Sequence, residues 1–124
     1  LRKTRPHWQA GFFNGVGGKI EPYESPEKAM AREGLEELGV NPEWHPYAVV
    51  AYPEVHMDVF AARDQVAFMD ARARTDEAVF RIFLASLYSV QVIPNLRWLV
   101  PLAKHHLFSE TIAHASVSIK GRGL

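Results

Sequence analysis

Glu33, Glu36 and Glu37 recur at i, i+3 and i+4, a spacing that gathers three carboxylates on one face of a helix. The glycine-rich stretch Gly15-Val16-Gly17-Gly18-Lys19 stands just upstream. Carboxylates so placed repel one another by roughly 0.2–0.5 kcal/mol per pair on a bare helix, and a cation is needed to offset this. Hard oxygen donors with no soft ligand nearby suit Mg²⁺ or Mn²⁺, and Mg²⁺ commonly sits between protein carboxylates and substrate phosphates. The cluster therefore predicts a divalent-metal site that handles phosphate. The competing reading is the solvated face of a Glu-rich helix. Arg32 either orients a neighbouring glutamate or makes an i,i+4 pair with Glu36. The glycines remove side-chain bulk and let backbone groups approach a ligand closely, although a tight turn accounts for them as well.

The wider spacing narrows the choice. Gly18, Glu24, Arg32, Glu33, Glu36, Glu37, Gly39 and Val40 fit G-x5-E-x7-R-E-U-x-E-E-x-G-U, where U is a bulky aliphatic residue, and only Gly34 departs, at the first U. With each fixed residue at roughly 5–7% of average composition, a chance match in so short a chain has a probability on the order of 10⁻⁷. The pattern resembles the signature of the Nudix hydrolases. That resemblance implies an α/β fold, the Nudix-type α/β/α sandwich with a mixed central sheet. It also implies hydrolysis of a nucleoside diphosphate linked to a further moiety X, with Mg²⁺ or Mn²⁺ as cofactor. Arg32, Glu33, Glu36 and Glu37 would carry the catalysis, the Gly17 carbonyl would join the three glutamates around the metal, and Lys19 would lie near the phosphates.

Two further segments share the resemblance. Trp8 to Glu21, WQAGFFNGVGGKIE, is similar to Nudix proteins that hydrolyse modified purine nucleoside triphosphates, in which an aromatic-Asn-Gly run precedes the glycines. Phe13 and Asn14 are then substrate-binding. An asparagine amide can present donor and acceptor together to a purine edge, but Asn-Gly also favours a plain turn. Pro94 to Pro101, PNLRWLVP, resembles the second recognition segment of the same proteins, with Asn95 where an acidic residue often stands. Asn95 is equally a helix cap, and Trp98 is better suited to the core than to a stacking wall. Thr75-Asp76-Glu77 precedes the expected penultimate strand, where the family often places one more acid, and Glu77 is the candidate. One of Glu33, Glu36, Glu37 or Glu77 would serve as base.

The elements needed to position these groups are legible. Ser25-Pro26-Glu27 supplies a cap, a proline at the first helical position and an acid in the first turn, while Gly39 offers a stop, so a helix is expected at 26–38. On it Met30, Ala31, Gly34, Leu35 and Leu38 share the arc opposite the glutamates. Gly34 costs about 1 kcal/mol of propensity relative to Ala, for which close approach to the sheet would compensate. Tyr47–Tyr52 and Val55–Ala62 read as paired strands split by Pro53-Glu54. Arg63–Glu77 reads as a polar loop around a short strand, Val79–Leu84 as a buried strand with a helix as the alternative on so short a run, and the segment after Asn95 as a helix that Pro101 kinks or restarts. Thr111–Lys120 would be the last strand.

Composition sets the outer bounds. The chain has 124 residues, the size of one domain spanning 1–124, and 48% of them are hydrophobic. The first strand of the implied fold is expected to be largely missing before Lys3, and the opening at Leu1 rather than Met points to a preceding segment. Lys plus Arg and Asp plus Glu are both 14, which argues against bulk attraction to nucleic acid. With no cysteine there is no disulfide framework, thiolate nucleophile or zinc–thiolate site, and a reducing cytoplasm fits. The apolar runs are too short to span a bilayer, and no signal-peptide pattern opens the chain. The six histidines lack ligand spacing, and His105 and His106 are expected at the surface. A small-molecule nucleotide is the expected partner, with oligomerisation left open. The leading function is pyrophosphohydrolysis of a nucleoside triphosphate, an oxidised purine among the candidates. An ADP-ribose or dinucleotide pyrophosphatase is the second enzyme reading. A non-catalytic nucleotide sensor is the third, and the intact glutamates argue against it.

Overall fold

The computed structural model describes residues 1–108 and 114–120. Helix α1 runs over Pro26–Leu38, as expected. Ser25 Oγ accepts from the Lys28 N–H at 3.2 Å, and Gly39 ends the helix in the left-handed region at φ 72°, its N–H donating to the Leu35 carbonyl at 3.1 Å. The packing arc differs from expectation. Ala29 and Gly34 are buried, but Leu35 is 49% exposed. Gly34 does make a close approach, though not to the sheet. A Cβ there would lie 2.9 Å from the Val40 carbonyl oxygen and 3.2 Å from the Trp44 ring, so the glycine lets the chain leaving α1 fold back onto it.

Strands β1 (His45–Ala51) and β2 (His56–Ala61) form the antiparallel hairpin, closed by the Tyr52 N–H donating to Val55 O at 2.8 Å around Pro53-Glu54. Strand β3 (Ala115–Ser118) lies parallel to β1, giving a mixed sheet of order β2-β1-β3. Part of the expected final strand, 111–113, lies outside the described residues. Helix α3 (Leu96–Phe108) covers the sheet, continuing through Pro101. Tyr47, Ala48, Val50 and Leu99 are the buried centre, with Trp98 and Leu102 packed at its edge, and the Tyr47 hydroxyl donates to Leu99 O at 3.0 Å. His105 is exposed as expected, whereas His106 is only partly so. Its neighbour's rotation along the helix turns the His106 ring to within 6.1 Å of Tyr47, with Nδ1 buried.

Two further expectations fail. The polar stretch after β2 holds a short helix, α2 (Gln65–Asp70), rather than a strand, because Asp64 Oδ1 caps it by accepting from the Ala67 N–H at 2.9 Å. Val79–Leu84 is irregular and ends in a 3₁₀ turn at Leu84–Ser86, with Phe83 85% exposed. Apolar, β-prone residues make a strand only where a neighbour completes the ladder, and none does so for this run among the described residues. The N-terminal segment instead forms a small ladder of its own. Arg2 bridges Phe13 antiparallel and Phe13 bridges Val92 in parallel. The architecture is thus α/β with a mixed sheet.

Gly34→Ala gains about 1 kcal/mol of helix propensity, but the new methyl meets a backbone carbonyl that cannot move cheaply, an overpacking cost of about 1–3 kcal/mol. Net destabilisation is expected in urea unfolding, and a variant more stable than wild type would contradict this packing.

Candidate metal and phosphate site

The glycine loop and α1 are held together by one guanidinium. Arg32 Nε donates to Glu24 Oε2 at 2.8 Å and its NH2 group to Glu24 Oε1 at 2.9 Å, a bidentate pair. The same NH2 group donates to the Lys19 carbonyl at 3.0 Å, while NH1 donates to Glu33 at 2.9 Å and, more loosely, to Glu36 at 3.3 Å. Arg32 therefore does both things that sequence left open. Its hydrogen bonds to Glu24 and Glu33 raise its own pKa, and in return the guanidinium holds the Glu24 carboxyl below the usual carboxylate range. Glu24, whose side chain is 7% exposed, also accepts from the Glu21 N–H at 3.0 Å, so it braces the turn into α1.

Gly18 is where the loop touches the acidic face. A Cβ on it would overlap the Glu33 carboxylate, with Glu33 Cδ only 2.7 Å away. Any side chain at 18 would push that carboxylate off Arg32. Gly15 and Gly17 have no such constraint, and Lys19 is exposed. Of the three glutamates, Glu36 is the most open, its side chain 58% exposed, and Glu33 is mostly covered at 12%. Glu37 has a buried Oε2 with no hydrogen-bond partner. Burial, then the hydrogen bond and charge of Glu33, push the Glu37 carboxyl up to about 7. A buried, unpartnered carboxylate oxygen beside a second carboxylate is the environment a hard divalent cation would relieve, so these residues fit such an ion. Among the described residues no three acidic or imidazole groups converge into a ready-made metal site, so the fit rests on the Glu37 and Glu33 carboxylates.

Glu77 is buried at 6% exposure and close enough to Glu37 for the two charges to repel. Burial works to raise its pKa, but the Thr4 N–H and the Lys3 ammonium outweigh this and hold it low. Phe13 and Asn14 line a cleft of about 290 Å³ with Phe68, Phe80 and Arg81, and Phe13 meets Phe80 edge-on at 5.4 Å. The Asn14 side chain accepts from the Gly15 N–H at 2.8 Å, as a turn asparagine does, and its amide lies 3.4 Å from Gln9 Oε1. Asn95 is not among the residues that line this cleft. Its buried amide donates to the Tyr52 hydroxyl at 2.9 Å, while its carbonyl, not its side chain, accepts from the first turn of α3. Lys3 and Thr4 were not foreseen as partners of Glu77, nor Tyr52 as the partner of Asn95. Each acts from a distant point in the sequence, with no local signal.

The raised Glu37 pKa gives the metal-free protein a testable pH dependence. Below 4.5 the group is protonated folded or unfolded and has no effect, and stability is lost as pH rises toward 7. Melting temperature without metal should therefore fall between about pH 5 and 8, Mg²⁺ should restore it at the higher pH, and Glu37→Gln should flatten both responses. Equal slopes in wild type and variant would contradict the assignment.

No curated protein matches this chain. A family model does: the NUDIX domain matches residues 2–105, a span that contains the glycine loop, α1, Glu77 and Asn95. Members of this family are hydrolases of nucleoside diphosphates linked to a further group, and the carboxylate face fastened by Arg32 to its glycine loop sits within the matched span. The chain belongs to the Nudix hydrolase family.

Proposed function

We propose that this Nudix hydrolase is a divalent-metal-dependent pyrophosphatase, acting in the cytoplasm on a purine nucleoside triphosphate, oxidised purines included, to give monophosphate and pyrophosphate. The observation that carries the reading is a single stretch of chain that joins an aromatic cleft to the acidic face. Asn14 and Gly15 line the cleft, and Gly18 lies against Glu33. The steps between Gly15 and Gly18 span at most about 11 Å, within the reach of one nucleotide.

Glu33, Glu36 and Glu37, with the Gly17 carbonyl, would hold the ion, Mg²⁺ or Mn²⁺, which when bound neutralises pyrophosphate oxygens and makes water a better nucleophile. Arg32 keeps Glu33 and Glu36 in place and fixes the Lys19 backbone, while the exposed Lys19 ammonium would be free to meet a phosphate. One of Glu33, Glu36, Glu37 or Glu77 takes or orients the proton of the attacking water. Phe13 offers a ring to the base and Asn14 an amide to its edge. The near-neutral charge balance and the size of the cleft favour a free nucleotide over a nucleic acid.

Product analysis with Mg²⁺ across nucleoside triphosphates, oxidised guanine triphosphate, ADP-ribose and dinucleotides tests this reading. Monophosphate and pyrophosphate from a purine triphosphate are expected, with activity lost in excess chelator. Preferential cleavage of ADP-ribose would move the substrate class, and tight binding without turnover would make the chain a sensor. Glu36→Gln and Glu37→Gln should lower kcat by about 10²–10⁴-fold with an unchanged far-ultraviolet circular dichroism spectrum. Near-normal kcat in both would mean a merely solvated face.

Base choice is tested separately. Asn14→Ala should lower kcat/KM for the preferred nucleotide by about 1–3 kcal/mol and compress the ranking among bases. An unchanged ranking would leave Asn14 as the turn residue that its bond to Gly15 already makes it, and the purine assignment would lose its support.

A further inference from the structure

Glu77 is gripped by a segment 74 residues away in sequence. Its Oε1 accepts from Lys3 Nζ at 3.0 Å, and its Oε2 accepts from the Thr4 N–H at 2.8 Å and the Thr4 hydroxyl at 3.3 Å. The Lys3 and Glu77 side chains are only 17% and 8% exposed, so each depends on the other for its charge partner. The gripping segment is itself anchored. The Lys3 N–H donates to Phe12 O at 2.8 Å, the Gly11 N–H to Lys3 O at 2.8 Å, and the Arg2 N–H to Ala78 O at 2.9 Å, next to Glu77. Outside the pair, Arg5 holds Asp76 with two bonds of 2.9 and 3.1 Å.

A carboxylate offers about four lone-pair sites. The two on Oε2 are taken, and Oε1 has given one to Lys3, which leaves a single acceptor site. Glu37 on α1 experiences both the Lys3 ammonium and the Glu77 carboxylate, so this clamped group borders the acidic face. A group with one remaining acceptor site and no freedom to rotate is suited to orienting one small donor, such as a water molecule. We infer that Lys3 is a positioning residue of the hydrolytic reaction, fixing Glu77 so that its remaining Oε1 acceptor site orients the attacking water. This rests on the phosphohydrolase reading proposed above. Lys3 touches Glu77 rather than substrate, so its effect falls on turnover and not on nucleotide binding.

The experiment measures kcat and KM separately, with melting temperature, for wild type, Lys3→Met, Lys3→Gln and Lys3→Arg on a nucleotide the wild type cleaves. Lys3→Met should lower kcat per folded molecule by about 10–100-fold with KM within about twofold, since a misplacement of about 1 Å costs that much. Lys3→Arg restores a cation to Oε1 and should recover most of kcat. Lys3→Gln retains a donor without the charge and provides the reading if the methionine variant does not fold. Unchanged kcat in a folded Met or Gln variant overturns the inference, because a merely structural clamp would lower the melting temperature alone. A rise in KM also overturns it, by making Lys3 a phosphate ligand, and so does failure of arginine to recover kcat. A wild type that cleaves no nucleotide overturns the functional reading and this inference together, whereas an active wild type with insensitive Lys3 variants overturns only the inference.

Discussion

The Arg32 guanidinium is the interaction on which the site depends. Its planar fork reaches Glu24 with two bonds, Glu33 and Glu36 with one each, and the Lys19 carbonyl with another. One rigid cation thus ties a turn, a loop and a helix into a common frame. Lysine, a point charge on a flexible stem, would not span the same set of acceptors. The fork also resolves part of the electrostatic problem that three neighbouring carboxylates create, because Glu33 and Glu36 are each partly compensated by it. Glu37 is not among its partners, and the unresolved charge gathers there.

That uneven compensation gives the acidic face its character. A helix with every carboxylate neutralised by arginine or lysine would be stable and chemically inert. Here one carboxyl is left buried, unpartnered and with a raised pKa, and the proposed divalent-cation site rests on that feature. Glycine at position 18 completes this arrangement from the loop side, because only a residue without a Cβ leaves room for the Glu33 carboxylate as Arg32 holds it.

Glu77 occupies the opposite condition. Each of its oxygens has a donor from Lys3 or Thr4, so it is a charged group held still, with one acceptor site left on Oε1. Two acids a short distance apart in the same acidic region are thereby differentiated by their surroundings, one by burial beside a like charge and the other by donors from the N-terminal segment. The same N-terminal segment carries Phe13 and Asn14 to the cleft, so the strand-like bridges Arg2–Phe13 and Phe13–Val92 connect the cleft to the segment that holds Glu77.

The sequence by itself determined α1, its caps and the grouping of its glutamates, because capping, helical periodicity and i,i+4 adjacency are local properties of a few consecutive residues. The hairpin β1–β2 was legible for the same reason, from β-branched runs on either side of Pro53-Glu54. Tertiary structure decided what depends on partners far along the chain. Val79–Leu84 has strand composition and no strand, since a ladder needs a neighbour that composition does not supply. Leu35 lies on the apolar arc and remains half exposed, because what covers a helix face is set by the rest of the fold. The Asn95 amide turned to Tyr52, and Glu77 was locked by Lys3, through contacts spanning 43 and 74 residues. Neither pairing has a periodicity or spacing to reveal it, since side chains meet across such distances only after the backbone has been folded.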